Sequence, residues 1–553
     1  MSRVAAPAAS AEVPAAGSWS GWGDPAKRTG LGPAGGSARR FLHREVGLPE
    51  HAAPRLPVPL DQVRLPAPAL PARLRDRLAA VAEVRDNAMS RIAHSGGKSY
   101  LDLVRRRAGD AEAAPDAVVL PADAAGVQAV LGLCAEAGVA VVPFGGGTSV
   151  VGGVEPLRGR FTAVIALDLT RLDALLEVDE ESQTATLQPG LRGPQAEALL
   201  NARGWTLGHL PQSFDLATVG GWVATRSAGQ ASTGYGRSDD MVIALRVATP
   251  AGELVLGRTA RSAAGPDLRQ LLIGSEGTLG VITEVTMAVR PLPQVRRYEG
   301  WFFRSFAGGC QAFRTLAQEG VTADVCRLSD EPETRSQLAL SGHDRGLVAG
   351  YLAARRLRCL AVLGWEGTED AVKRRRAATV AVLKAAGGVP VGQGVGRSWE
   401  KGRLAAPYLR DDMLDAGLLV ETLETAATWR RLPAVHAAVR AALTESLRAA
   451  GGSPLVLTHV SHLYRTGASL YVTVIDRQWE GQLAAVGQWQ AAKRAATDAL
   501  LDAGGTLTHH HAVGVDHAPW LAREVGDLGV EVLRAVKQVL DPGGVLNPGK
   551  LLP

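Results

Sequence analysis

The chain has 553 residues, of which 46% are hydrophobic, and a formal net charge of +5, which predicts roughly two to four domains with sizeable cores. Lysine and arginine are scattered, and no basic run carries interleaved aromatic residues, so nucleic acid is not an expected partner. The four cysteines lack Cys-x-x-Cys spacing, no apolar run has the length of a membrane span, and no signal-peptide pattern opens the chain, which predicts a cytoplasmic protein without disulfides.

The N-terminal part changes character several times. Residues 1–17 are rich in Ala, Pro and Ser and are predicted to be disordered. The segment Trp19-Ser-Gly-Trp22-Gly breaks this pattern, and we expect it to dock on the body of the protein because tryptophan side chains are costly to leave in water. Residues 54–71 are punctuated by proline and read as an extended linker, and residues 72–108 read as charged and helical.

A strand–helix–strand unit is predicted over residues 117–142. A short buried strand at 117–120 precedes apolar residues at helical spacing over 124–137, and a second strand covers 139–142. This unit leads into Pro143-Phe-Gly-Gly-Gly-Thr-Ser149. A glycine backbone can direct several N–H groups into one concavity, which suits phosphate oxygens. The spacing is neither a Rossmann nor a Walker fingerprint, and a glycine-rich surface turn is the alternative.

Two further glycine-rich stretches follow. In the second, Gly220 and Gly221 stand where a loop enters a helix, and Thr218 is a plausible N-cap. The third, Ile273-Gly-Ser-Glu-Gly-Thr-Leu-Gly, runs directly into a strand. The neighbouring segments predict strands within 161–168, 174–178, 184–189 and 242–249 and from Trp205 onward, around a helix at 193–202.

After Pro291 the alternation of strands and helices predicts a mixed α+β substrate domain. Its predicted helices cover residues 372–386, 429–450 and 480–503, its predicted strands include 301–303, 359–365, 455–459 and 469–475, and a further helical segment covers 517–540.

Together, the three glycine stretches resemble the FAD-binding domain of the vanillyl-alcohol oxidase/FAD-linked oxidase superfamily. The resemblance implies that the first stretch holds the flavin pyrophosphate and that the other two line the adenosine and isoalloxazine parts. No His or Cys lies within residues 141–155, so non-covalent FAD is expected. The implied cofactor-binding residues are Pro143, Phe144, Gly145, Gly146, Gly147, Thr148, Ser149, Gln212, Ser213, Thr218, Gly220, Gly221, Thr225, Arg226, Ser227, Ala228, Glu276, Gly277, Thr278, Leu279, Gly280, Val281 and Ile282.

The fold class implied is α+β, with a two-part FAD-binding domain of the vanillyl-alcohol oxidase type and an α+β substrate (cap) domain. The expected division is an N-terminal tail with the docking Trp segment (1–45), the FAD-binding domain (46–292), the cap domain (293–504) and a C-terminal segment that returns to the flavin site (505–553).

Three adjacent histidines, His509, His510 and His511, stand near the end of the chain. They are open to three interpretations: an exposed loop, a metal cluster, or a proton-handling site, since imidazole titrates near neutrality. A strand would place His509 and His511 on one face and His510 on the other, which is awkward for ligands of one ion. No metal is therefore predicted.

Within the superfamily, the chain lacks the Gly-His-x-Gly-Asp-Gly-Asn and Gly-Glu-His-Gly motifs usual in 2-hydroxy-acid dehydrogenases. It resembles the alkyldihydroxyacetonephosphate synthase family along nearly its whole length. The matching motifs include Trp19-Ser-Gly-Trp22-Gly, Tyr408-Leu-Arg-Asp, Glu421-Thr-Leu-Glu-Thr-Ala, Gly467-Ala-Ser-Leu-Tyr471 and His509-His-His.

This resemblance implies that the acyl group of acyl-dihydroxyacetone phosphate is exchanged for a fatty alcohol, through an adduct of substrate C1 with flavin N5. Tyr471 matches the family's catalytic tyrosine, and residues 509–511 match its essential histidines. Arg410 matches an arginine that handles the substrate head group, for which a guanidinium fork suits phosphate. Arg327 matches another functional arginine.

Two other functions are kept open: a FAD-linked dehydrogenase or oxidase of an alcohol or 2-hydroxy acid, and a non-enzymatic flavin or lipid carrier. The chain departs from the family at Ala512, which replaces a glycine, and by one inserted residue between Tyr471 and His510. It ends in Leu-Leu-Pro and not in a Ser-Lys-Leu address. The expected partners are a small-molecule lipid substrate and a second copy of the chain, with peripheral contact to the inner face of the membrane left open.

Overall fold

The computed structural model describes residues 4–5, 19–31, 36–49 and 53–552. The strands are β1 (Val4–Ala5), β2 (Glu83–Arg85), β3 (Ala117–Leu120), β4 (Ala140–Phe144), β5 (Val164–Asp168), β6 (Ala174–Asp179), β7 (Thr184–Leu187), β8 (Trp205–Thr206), β9 (Val242–Thr249), β10 (Gly252–Leu256), β11 (Val281–Ala288), β12 (Arg290–Pro291), β13 (Val295–Phe303), β14 (Val325–Ser329), β15 (Cys359–Gly367), β16 (Val389–Gly392), β17 (Leu418–Thr428), β18 (Leu455–Tyr464) and β19 (Gly467–Arg477).

The α-helices are α1 (Ser37–Val46), α2 (Ala72–Ala79), α3 (Ala88–Ala93), α4 (Tyr100–Arg107), α5 (Ala124–Ala137), α6 (Gly193–Asn201), α7 (Val219–Ala224), α8 (Ser232–Tyr235), α9 (Ser238–Met241), α10 (Arg269–Leu272), α11 (Phe306–Glu319), α12 (Glu331–Leu340), α13 (Gly346–Ala354), α14 (Glu369–Ala385), α15 (Gln393–Gly402), α16 (Ala406–Asp415), α17 (Leu432–Ala449), α18 (Gln482–Asp502), α19 (Leu521–Val525) and α20 (Asp527–Leu540). Short 3-10 turns cover Pro25–Lys27, Leu60–Gln62 and Ala518–Trp520.

A four-stranded sheet in the order β2-β3-β5-β4 contains the predicted strand–helix–strand unit. Strands β3 and β4 both run parallel to β5, and β2 is antiparallel to β3. The crossover helix α5 has the predicted bounds because Asp123 caps its first turn by accepting from Gly126 N and Gly138 ends it in the left-handed conformation. The parallel strands are buried on both faces, as this architecture requires.

A six-stranded antiparallel sheet in the order β1-β6-β7-β11-β9-β10 lies beside the first sheet. Its strands β7 and β9 lie within the predicted segments, and β6 extends one residue beyond its predicted end at 178. Helices α6 and α7 cover one face, where Leu200 and Trp222 join Leu187 and Val285 of the strands in one buried cluster. The three glycine-rich stretches follow β4, form the start of α7 and precede β11.

A seven-stranded antiparallel sheet, in the order β16-β13-β15-β14-β18-β19-β17, is built from residues 295–477. Helices α11, α14, α17 and α18 pack on one face, and the largest core cluster of the described residues forms there around Trp301, Trp365 and Trp489. The three sheets, together with the helices that pack on them, confirm the predicted α+β class.

The tryptophan segment near the N-terminus docks as predicted. Trp19 and Trp22 are both buried. The backbone N–H of Trp22 donates to the Asp411 carboxylate at 2.7 Å, and Lys98 Nζ donates to the Gly21 carbonyl at 2.6 Å. This segment therefore joins the turn before α4 to α16, which are far apart in the sequence.

Four other expectations from the sequence have different outcomes. The disorder predicted for 1–17 falls mostly outside the described residues. The helical prediction for 72–108 is wrong at β2, which pairs with β3 because it completes the edge of the four-stranded sheet. The four cysteines are free thiols, as expected. Among the described residues, no helix has the length and apolarity that crossing a bilayer requires.

Candidate active site

The three glycine-rich stretches meet around one cavity at the edge between the four-stranded and six-stranded sheets. Of the residues predicted to hold the cofactor, the cavity is lined by Pro143, Phe144, Gly145, Ser149, Thr218, Gly220, Gly221, Thr225, Glu276, Gly277, Gly280, Val281 and Ile282. The lining consists mainly of glycine backbone and short side chains, which leaves room for a flat cofactor to approach the main chain.

Glycine is required where these stretches touch. A Cβ on Gly145 would lie 2.3 Å from Thr218 Oγ1, and one on Gly146 would lie 2.0 Å from the Leu216 carbonyl oxygen. Gly277 has a φ of +74°, and a Cβ there would lie 2.8 Å from the Pro143 ring. Any side chain at these positions would therefore separate the first stretch from the second or the third.

Ten predicted cofactor residues are not among those that line the cavity: Gly146, Gly147, Thr148, Gln212, Ser213, Arg226, Ser227, Ala228, Thr278 and Leu279. Leu279 is core, and Arg226 forms an ion pair with Asp239 at 3.1 Å. Sequence reasoning left out the lining residues Gly153, Val154, Leu169, Pro189, Ala224 and Ser275. Leu169 and Pro189 closely follow β5 and β7, so a consistent search of the strand ends would have found them.

The lining fits a non-covalent FAD. It contains no His or Cys side chain to which a flavin could be attached. Phe144 offers an aromatic ring, and Ser149 and Thr218 offer hydroxyl groups.

The Glu276 carboxylate connects the cavity to the C-terminal segment. It accepts the backbone N–H groups of Val513 and Gly514, both at 2.8 Å. Burial raises its pKa to about 7, although both hydrogen bonds act in the opposite direction. The Asn547 amide donates to the carbonyls of Gly153 and Glu276 at 3.1 and 2.7 Å. Val513, Gly514 and Asn547 thus join the C-terminal segment to Glu276 of the third glycine stretch and to Gly153, which follows the first.

The three adjacent histidines lie in an irregular turn and not in a strand. The Glu424 carboxylate accepts the backbone N–H groups of His509, His510 and His511 at 2.7, 3.1 and 2.9 Å. Burial alone would raise the pKa of Glu424, but the histidines, His510 first, hold it well below its ordinary value. One buried carboxylate therefore fixes the course of the turn.

The imidazoles form a hydrogen-bonded cluster with His462 from β18. His509 Nδ1 lies 2.9 Å from His510 Nδ1, and His509 Nε2 lies 2.7 Å from the Tyr464 hydroxyl. His462 stacks on His509 with ring centroids 5.1 Å apart. Burial, followed by the neighbouring imidazoles, lowers the pKa of both His462 and His509 well below the ordinary value. These two side chains are therefore neutral at pH 7.

Ring nitrogens of His462, His509 and His510 lie within 4.8 Å of one another, a spacing that could hold a metal ion. Two of these residues already have other partners, however. His462 Nδ1 lies 2.5 Å from Ser232 Oγ, and His509 bonds to Tyr464. The same nitrogen atoms serve equally well as a chain of proton donors and acceptors.

Tyr471 lies beside this cluster. On β19 it is paired directly with His459 of β18 on one side and with Glu424 of β17 on the other. Its ring stacks on His459 at 5.0 Å and faces His510 at 5.9 Å and His511 at 5.6 Å. Burial raises the pKa of Tyr471 to about 12. The phenol therefore keeps its proton at neutral pH and has imidazoles within reach for proton exchange.

Arg327 reaches the tyrosine through His459. Its Nη2 donates to Glu333 at 2.6 Å, and its Nη1 lies 2.9 Å from His459 Nε2. His459 in turn stacks on Tyr471. Burial would raise the pKa of Glu333, but His459 and Arg327 lower it to about 2. Arg327 thus belongs to a buried ionic network behind the phenol.

Arg410 lies on α16 and is buried. Its Nη2 donates to the Lys98 carbonyl oxygen, and its Nη1 lies 3.6 Å from Glu421. The guanidinium also lies 5.6 Å from the centre of the Trp22 ring. Its Nε has no hydrogen-bond partner in the protein.

Comparison with known proteins supplies the family. Residues 115–257 match the model described as FAD binding domain, and residues 292–551 match FAD linked oxidases, C-terminal domain. Alkyldihydroxyacetonephosphate synthase of Dictyostelium discoideum is 33% identical over 97% of this chain and 93% of its own. The alkyldihydroxyacetonephosphate synthase of Trypanosoma brucei brucei is 36% identical over 89% of this chain and 82% of its own.

The chain belongs to the alkyldihydroxyacetonephosphate synthase family. A solved structure of an alkyldihydroxyacetonephosphate synthase superposes with a TM-score of 0.82 and 29% identity, covering 96% of this chain and 98% of that one. As a member of this family the protein is a FAD-dependent enzyme of the transferase type, with the FAD-binding architecture of the vanillyl-alcohol oxidase superfamily.

Within this family framework, sequence reasoning left four residues of the cluster unassigned: His459, His462, Tyr464 and Glu424. Glu424 stands in the quoted motif Glu421-Thr-Leu-Glu-Thr-Ala, and the two histidines and Tyr464 stand close before Tyr471. Their proximity depends on the pairing of β17, β18 and β19. No local pattern specifies that pairing.

Proposed function

We propose that the protein exchanges the acyl group of acyl-dihydroxyacetone phosphate for a fatty alcohol and so forms an ether-lipid precursor. The observation that supports this most directly is the position of Tyr471, whose phenol lies among the imidazoles of His459, His510 and His511. The curated relatives named above are synthases of this product.

The net reaction involves no oxidation. The bond between substrate C1 and the ester oxygen breaks, and the fatty acid leaves with both of its carboxyl oxygens. The alcohol oxygen forms the new bond to C1, and the alcohol proton is released with the acid. When bound in the glycine-lined cavity, FAD would supply an electrophilic ring for the chemistry at C1.

The protein moves the protons. Burial keeps the resting phenol of Tyr471 protonated, so it can donate its proton to the departing carboxylate oxygen. The phenolate that this leaves then regains a proton from the incoming alcohol. His510 and His511, whose rings face the phenol, relay the proton. Arg327 acts through His459, which it orients against the phenol ring. Arg410 binds the substrate phosphate.

We also propose peripheral contact with the inner face of the membrane through α13. Leu347, Val348 and Tyr351 expose their side chains on this helix. Arg345 precedes it and Arg355 follows it. An exposed apolar helix flanked by arginine is suited to the boundary of an anionic bilayer, which would place the enzyme near its lipid substrate.

A homodimer is proposed through α20. Leu528, Val532 and Val539 are exposed along one side of this helix. Antiparallel pairing of two such helices would cover these residues, as in an isologous interface. Light scattering measures the molecular mass of the wild type and of Leu528→Glu in solution. We expect a dimeric wild type and a monomeric variant, and a monomeric wild type would contradict the proposal.

The experiment that tests the proposed reaction supplies radiolabelled fatty alcohol and acyl-dihydroxyacetone phosphate without an electron acceptor. Labelled ether and free fatty acid are expected in equal amounts. The same substrate is added anaerobically while the flavin absorbance is recorded. Stoichiometric bleaching without ether formation would instead identify a dehydrogenase and overturn the proposal.

A further inference from the structure

A second arginine lies unassigned beside Arg410. Arg106, on α4, is only 2% exposed. Its Nη2 donates to the Gly97 carbonyl oxygen, while its Nε and Nη1 have no hydrogen-bond partner in the protein. Arg410 Nε is also buried without a hydrogen-bond partner in the protein. Buried guanidinium N–H groups without partners are energetically costly, and their occurrence calls for a ligand or another explanation.

The nearby carboxylates are mostly occupied by other donors. Asp102 accepts from the backbone N–H and hydroxyl of Ser99, and Glu421 accepts from the backbone N–H groups of Tyr100 and Thr422. One oxygen of Asp411 accepts from Trp22, and the other has no partner. Burial raises the pKa of Asp411, although the Trp22 N–H and the charge of Arg410 act in the opposite direction.

The two guanidinium groups are close enough to affect each other. Burial lowers the pKa of Arg106, and the positive charge of Arg410 acts in the same direction. Two like charges in a buried position repel each other, and an anion that contacts both relieves this repulsion. The unpartnered atoms therefore indicate a negatively charged ligand.

The position of Arg106 connects both halves of the proposed site. The residues before α4 contact the first glycine stretch, because Lys98 N donates to the Ser149 carbonyl oxygen at 2.7 Å. On the other side, Arg410 and Glu421 both affect the pKa of Tyr471. Arg106 and Arg410 thus donate to the adjacent carbonyl oxygens of Gly97 and Lys98, in the turn that contacts the first glycine stretch.

We propose that Arg106 and Arg410 together bind the phosphate of the substrate, and that Arg106 determines the preference for a phosphate monoester. This inference rests on the proposed function, whose substrate carries such a group. A phosphate monoester has three terminal oxygens, which suit N–H groups presented from two guanidinium forks. A carboxylate has two oxygens and a single charge, so it would satisfy the pair less completely.

The test uses FAD-loaded protein and glycerol 3-phosphate, an unreactive phosphate monoester, with binding measured by calorimetry. Arg106→Gln is expected to weaken this binding by about 10- to 100-fold. Arg105→Gln, on the same helix, is the matched control and is expected to bind as wild type does. In turnover, Arg106→Gln should raise KM for the phosphorylated substrate and leave KM for acyl-dihydroxyacetone unchanged.

Each other outcome overturns the inference. If Arg106→Gln binds glycerol 3-phosphate like wild type while exchange activity is present, Arg106 has no such role and the proposed function stands. If wild type neither binds glycerol 3-phosphate nor catalyses exchange, both proposals fail. Should Arg106→Gln not fold with FAD, Arg106→Lys is measured instead. It keeps the charge without the fork, and undiminished affinity in that variant would also contradict the inference.

Discussion

Glu424 lies directly opposite Tyr471 in the paired strands β17 and β19, and its carboxylate holds the backbone of His509, His510 and His511. The pairing of these two residues sets the distance between the phenol and the histidine turn. The Glu424 carboxylate thereby positions the imidazoles of the histidine turn, about 85 residues further along the chain, against the side chain of Tyr471.

The phenol of Tyr471 should be required for exchange. Tyr471→Phe keeps the ring that stacks on His459 and removes only the hydroxyl. We expect exchange activity to fall by about 100-fold or more, as for loss of a general acid–base group, with FAD content unchanged. Tyr351→Phe on exposed α13 serves as the control. Activity within twofold of wild type in Tyr471→Phe would remove the phenol from the mechanism.

Arg327 and His459 should act as one unit. Since Arg327 contacts His459 and His459 stacks on Tyr471, the single variants Arg327→Met and His459→Asn are both expected to lower kcat. The double variant should lose little more than either single one, with a coupling of about 1 kcal/mol or more. Additive effects on kcat would mean that Arg327 works independently of the imidazole.

Gly146 should be intolerant of any side chain. Gly146→Ala places a methyl group against the Leu216 carbonyl, so we expect loss of bound FAD and a lower Tm. Gly132→Ala in α5 is the matched control, because a Cβ there meets nothing within 4 Å, and it should be neutral or stabilise by about 0.5–1 kcal/mol. Released flavin is measured by absorbance after denaturation, and full occupancy in Gly146→Ala would contradict the packing argument.

Glu333 should make the free energy of unfolding fall as the pH is lowered into the acid range. Its folded pKa of about 2 lies below the ordinary value of 4.5, so its contribution is complete above about pH 4.5 and is lost as the pH falls toward 2. Urea unfolding of Glu333→Gln between pH 6 and pH 3 should therefore show a shallower loss of stability than wild type. Exposed Glu319→Gln should follow the wild-type slope, and identical slopes for all three proteins would exclude the ionic network as the cause.

Chelators should leave exchange activity intact. His462, His509 and His510 have the spacing of a metal site. However, His462 is hydrogen-bonded to Ser232 and His509 to Tyr464, as expected for residues that carry protons. We expect full activity after dialysis against EDTA and no stoichiometric metal by elemental analysis. An activity that disappears on dialysis and returns with Zn²⁺ would establish a metal role.

The sequence by itself determined the parts of this protein that depend on local chemistry. The helix of residues 124–137 was predictable because Asp123 and Gly138 define its ends. The glycine stretches were recognisable because close backbone contact requires residues without Cβ. Tyr471, His509, His510 and His511 were found through family motifs, which are contiguous in the chain.

Only the tertiary structure decided which residues surround the phenol. His459 and Glu424 reach Tyr471 through the register of three strands, and His462 lies within the register shift between Val460 and Leu463 of β18. Register is set by packing across the whole sheet and not by any short segment. Arg106 resembles its arginine neighbours in sequence, and it is distinguished only by its burial with Nε and Nη1 left without hydrogen-bond partners.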